Sequence, residues 1–118
     1  MKRLSLLAVS AVLLALSGTA SAHPPDSIAV SVDSTHFLMV EVHHPVKTWP
    51  GEHYVAKVTV NLNGKPVVTQ NFSSQSSQDW QYCYYLVNDA QPGDKVSVTA
   101  ACSMFGKLTV DHVVPKLE

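Results

Sequence analysis

The chain has 118 residues, with 8 basic and 9 acidic side chains, six histidines, two cysteines and a formal net charge of −1. That length has room for one core, and so even a charge balance leaves no electrostatic footprint for nucleic acid or anionic lipid. No charge run or internal repeat marks a second domain, and the one biased tract is the polar stretch 73–78.

Residues 1–22 read as a secretory signal peptide: Lys2 and Arg3 make a basic start, 6–16 is an apolar run, and Ala20-Ser21-Ala22 matches a small-residue cleavage site. The run is shorter than the roughly 20 residues that a membrane span needs. Cleavage after Ala22 would make His23 the first residue of a mature domain at 23–118, periplasmic or secreted, with a net charge of about −3.

Pro24-Pro25-Asp26 is extended and stiff. Ile28, Val30 and Val32 then alternate with small or polar residues as a short strand, 33–36 is a turn, and 37–42 is a β-rich strand with apolar residues on both faces. A histidine-rich loop follows, holding His43, His44 and His53. Beyond it Tyr54, Ala56, Val58, Val60 and Leu62 alternate with His53, Lys57, Thr59 and Asn61, the period of a half-buried strand interrupted only by Val55. Asn63-Gly64 predicts a tight hairpin turn, and 66–72 is the return strand with Pro66 at its start.

Trp80, Tyr82, Tyr84 and Leu86 form the apolar set of the next strand, 91–94 is a turn, and Val96, Val98 and Ala100 answer it. If both even sets face the core, Cys102 points inward and Cys83 outward, which holds the two thiols apart. A bulge near Ala101 would bring them together, so a Cys83–Cys102 disulfide in an oxidising compartment stays open. Leu108, Val110 and Val114 end the pattern. Six or seven short strands without an amphipathic helix predict an all-β fold, an immunoglobulin-like antiparallel β-sandwich of about seven strands.

Imidazole is the commonest neutral metal ligand, and His23, His44, His53 and Cys102 could converge at one end of such a sandwich. With the pieces His23-Pro24, His44-Pro45, His53-Tyr54-Val55 and Cys102-Ser103-Met104-Phe105-Gly106, the chain resembles the superoxide reductase and desulfoferrodoxin iron-binding domain. The likeness runs over nearly all of 23–118, including the Asn63-Gly64 hairpin and the turn at Pro92-Gly93-Asp94. It implies the same sandwich, and a mononuclear non-haem iron held by four equatorial imidazoles and an axial thiolate that reduces superoxide to peroxide. His23, His44, His53 and Cys102 match the family ligands.

Two departures stand out. The family histidine three residues after the cysteine is Phe105 here, and Trp49-Pro50-Gly51 lengthens the loop between two of the matched histidines. His43, His112 and the free amine of His23 are the candidate replacements for the fourth imidazole, and a terminal His23 chelate would suit copper. Three functions follow from these residues: a superoxide reductase-like iron protein with an unidentified electron donor, a non-enzymatic periplasmic carrier of copper or iron, or a sandwich that has kept its fold and lost its site. Oligomeric state is open. No nucleophile–base arrangement or phosphate loop is present.

Overall fold

A computed structural model describes residues 22–51 and 53–116. The signal peptide expected at 1–22 therefore lies, Ala22 apart, outside the described residues. Seven strands follow in chain order: β1 (Ser27–Val32), β2 (Phe37–His43), β3 (Val55–Leu62), β4 (Lys65–Asn71), β5 (Trp80–Leu86), β6 (Lys95–Cys102) and β7 (Lys107–Val113). They form two antiparallel sheets, β1-β2-β5 and β4-β3-β6-β7, packed as the predicted immunoglobulin-like sandwich. The described residues contain no helix.

The core is built mainly of valine, a side chain that β-branching suits to a pleated surface. Val40, Val42, Val55, Val58, Val60, Val98 and Ala100 are fully buried between the sheets, with Leu38 and Val96 beside them. The hairpin between β3 and β4 turns at Asn63 and Gly64, with φ of 51° and 84°, the left-handed pair that a two-residue turn demands. Asn63 also docks on β6, where its side-chain oxygen accepts the Lys95 N–H at 2.9 Å.

The face of β5 is the opposite of the one expected. Gln81, Cys83 and Tyr85 point into the sandwich, whereas Tyr82, Tyr84 and Leu86 are exposed on its outside. The register explains this: Leu38, Val40 and Val42 pair with Tyr85, Cys83 and Gln81. Residues directly opposite in a sheet share a face, so the inward set of β2 fixes that of β5. The larger Trp80, Tyr82 and Tyr84 then spread over the outer surface, with Trp80 half-buried. Cys83 and Cys102 both face inward and are free thiols, so the disulfide alternative does not hold.

The second correction is in β3. Val55 pairs with Cys102 and Lys57 with Ala101, which leaves Ala56 as an extra, unpaired residue. Val58 and Val60 keep the expected inward parity, but on the other side of this bulge the inward residues are Val55 and His53 rather than Ala56 and Tyr54. A further register shift lies between β3 and the edge strand β4, where Val60 pairs with Val68 and Asn61 with Pro66. Pro66 thus sits next to an irregularity on an edge, where its missing N–H is tolerated.

Val60→Ala, at a fully buried position of the central β3, is expected to cost about 2–3 kcal/mol. Calorimetry should show the midpoint lowered by roughly 10–20 °C. Burial also pushes the Cys83 thiol above its ordinary 9.0 and, with Cys83 alongside, the Tyr85 phenol above its ordinary 10.0. Folded-state values above the unfolded ones give stability that is whole below pH 9.0 and is lost as pH rises toward the folded values. The melting temperature should therefore fall from about pH 9 upward, and Cys83→Ala should move the start of that fall to the higher pH set by Tyr85.

Candidate metal centre

Four segments deliver side chains to one end of the sandwich, each by a different local device. His44 comes by simple alternation: Leu38, Val40 and Val42 face inward, and His44 continues the series one step past β2, fully buried. Its backbone stays extended because His44 N–H donates to the Asp79 carbonyl at 2.8 Å and Val46 N–H to that of Gln78 at 3.0 Å. His53 comes by the Ala56 bulge, which turns it from the expected solvent face to a buried one. Cys102 ends β6 opposite Val55 and is buried. The turn after it is laced to the start of β3, with Ser103 N–H on the Tyr54 carbonyl at 2.8 Å and Tyr54 N–H on Ser103 Oγ at 3.1 Å.

His23 is placed by close packing. Gly106 has φ of 86°, and a Cβ there would meet Pro24 Cβ at 2.8 Å. Only glycine gives both that backbone and that approach, and it seats Pro24 on the turn that begins at Cys102. His23, the residue before, lands beside His44 and His53.

One nitrogen from each of His23, His44 and His53 lies within 4.8 Å of the others, a group that could hold a metal ion. Three nitrogens bound to one ion at about 2.1 Å are mutually about 3.4–3.6 Å apart, so a group spread to 4.8 Å closes on an ion by shifts of up to about 1 Å each. The ring centroids are 4.6, 5.1 and 5.4 Å apart for the 23–44, 44–53 and 23–53 pairs. Cys102 adjoins one edge, with Sγ 3.5 Å from His53 Nδ1. A shallow pocket of about 330 Å³ opens over His23 and His53, with Lys47 and Asp79 of opposite charge on its rim.

Oxygen atoms surround two of these rings. His44 Nδ1 is 2.6 Å from Gln75 Oε1, and its Nε2 is 2.9 Å from the His23 carbonyl oxygen. His23 Nδ1 and Nε2 each lie 2.8 Å from a carbonyl oxygen, of Pro24 and Pro45. Carbonyl oxygens only accept, so each contact is a hydrogen bond when its nitrogen carries a proton.

The sequence reading missed Gln75. It falls in the polar 73–78 tract, yet it is 4 % exposed and bonds to His44, to Val55 N–H and to the carbonyls of His44 and Ser77. Its own carbonyl accepts the Trp49 indole N–H at 3.0 Å, which anchors the lengthened loop. A glutamine among serines carries no periodic signal that would single it out.

Two of the candidate replacements for the fourth imidazole, His43 and His112, lie elsewhere. His43, one residue out of phase with His44, packs on Trp80 at 4.7 Å on the outer face, 3.6 Å from an Asp26 carboxylate oxygen. His112 does face inward, and its Nε2 is buried without a hydrogen-bond partner. However, it pairs with Val96, at the far end of β6 from Cys102, about 20 Å away at ~3.3 Å per residue. Phe105 is exposed at the turn. His36, at the end of the turn expected at 33–36, has a φ of 67° and places Nδ1 3.1 Å from the Ala90 carbonyl.

Comparison with protein-family models, with curated proteins and with solved structures found no match to this chain.

Two thiols should titrate in denaturant, while both should react slowly in the native fold. Gly106→Val should push Pro24 off the turn, leave the two sheets folded by circular dichroism, and weaken metal uptake about tenfold or more through loss of His23.

Proposed function

We propose that this chain is an exported, superoxide reductase-like protein that holds one mononuclear non-haem iron between His23, His44, His53 and Cys102. The observation that carries the reading is the gathering of three imidazoles within 4.8 Å beside a buried thiol. The donor set suits a transition metal, since imidazole accommodates iron, copper and zinc while a thiolate excludes magnesium and calcium. It is one imidazole short of the set that the family resemblance implies.

Ferrous iron held there would supply the one electron that, with two protons, takes superoxide to hydrogen peroxide. The chain's own residues would do the rest. His44, fully buried, forms the dry wall of the site, and His23 and His53 face the pocket through which a small anion would reach it. Cys102 would donate electron density as a thiolate, the lever known from thiolate-ligated haem. Copper, carried without catalysis, is the second reading. The missing fourth imidazole and the position of His23 at the open side favour it, because a free His23 amine would then add a nitrogen donor.

Elemental analysis of protein recovered from the periplasm after expression of the full chain tests the reading. Stoichiometric iron is expected, with a thiolate-to-ferric absorption band on oxidation, superoxide-consuming activity, and loss of the band in Cys102→Ala. Metal-free protein that gains neither band nor thermal stability on anaerobic addition of Fe(II) would overturn the iron assignment, and stoichiometric copper would replace it with the carrier reading.

A further inference from the structure

We infer that Gln75 is the positioning residue of this centre: its amide oxygen holds His44 as the Nδ1–H tautomer and so assigns Nε2 as the metal-binding nitrogen. The inference rests on the metal reading above. It begins from the orientation of the amide, which the backbone determines from both sides. Gln75 Nε2 is 3.0 Å from the His44 carbonyl and 3.1 Å from that of Ser77, two groups that can only accept. Its Oε1 is 3.0 Å from the Val55 N–H, which can only donate. A flipped amide would set donor against donor and acceptor against acceptors, so the oxygen is the atom that faces His44.

In a ring that gives one nitrogen to a metal, His44 Nδ1, 2.6 Å from that oxygen, is therefore the one that keeps the N–H. Both side chains are buried, so water does not compete for the bond. Nε2 is on the opposite edge of the imidazole, facing the cluster, 2.9 Å from the His23 carbonyl oxygen that an ion bound there would displace. The Gln75 side chain is held by the His44 segment, the start of β3 and the 73–78 segment, so the oxygen that faces His44 is itself fixed from three sides.

The neutral charge of Gln75 has its own effect. A carboxylate at this point would raise the basicity of the imidazole and would face two carbonyl oxygens with no proton to offer. The amide keeps His44 a neutral ligand and leaves Cys102 the one anionic donor of the set. So low a ligand charge favours the lower oxidation state of the bound ion.

Metal-free protein titrated with Co(II), followed by the thiolate-to-cobalt absorption and by chelator competition, separates these roles. Gln75→Leu should bind Co(II) about 10- to 100-fold more weakly than wild type. Gln75→Glu keeps the acceptor for His44 but loses both donors to backbone carbonyls, and it should bind within a few-fold of wild type. Equal binding by wild type and Gln75→Leu would overturn the inference while leaving the metal reading in place. So would a Gln75→Glu protein as weak as Gln75→Leu, since the backbone contacts alone would then matter. Wild-type protein that takes up no Co(II) would bring down the metal reading and the inference with it.

If Gln75→Leu fails to fold, long-range proton–nitrogen NMR of the Zn(II)-loaded wild type supplies the test. His44 should keep its proton on Nδ1 with Nε2 metallated, and the reverse assignment would overturn the inference.

Discussion

Ala56 has no partner on β6, and that single extra residue reverses the face on which the residues before it stand. His44, one step past β2, and Cys102, at the end of β6, follow from unbroken alternation, and His23 from the packing of Pro24 on Gly106. Three strands could not bring these side chains to one point with a regular ladder throughout, because His53 would then face solvent. A bulge locally weakens the pairing of β3 with β6, and the hydrogen bond from Phe72 N–H to the Ala56 carbonyl at 2.8 Å offsets part of that loss. Bulges are common beside functional sites for this reason: they re-aim one side chain without moving the sheet.

Bringing imidazoles out of water is costly unless their nitrogens are satisfied. Here the satisfaction comes from main-chain and amide oxygens arranged around His23 and His44. Such oxygens are fixed in place by the strands and loops that carry them, save that of His23, which faces His44 Nε2 and would give way to an ion there. The result is a rim of dipoles with negative ends directed at the rings, at one end of a sandwich whose core cluster is mostly valine.

Strand positions were legible in the sequence because period-two alternation and the Asn63-Gly64 turn are local signals. His44 was legible for the same reason, being in phase with Val40 and Val42. What escaped depended on partners distant in the chain. The inward face of β5 is set by its register with β2, and side-chain size suggested the opposite. His53 stood on the polar side of a regular pattern until the pairing of Val55 with Cys102 showed the extra residue. His43 and His44 are adjacent in sequence yet lie on opposite faces. Gln75 acts through hydrogen bonds to residues 20 and 31 positions away, which no local pattern encodes.

The contact between Gly106 and Pro24 ties the start of the domain to its last turn. An ion shared by His23 and Cys102 would therefore be a clasp on a loop of about 80 residues, and a cross-link restricts the unfolded chain more the longer the loop it closes. Folding and loading become one linked equilibrium. Such a protein would hold its metal only while its two ends are together, and release of the ion would loosen the first segment of the chain before any strand need separate.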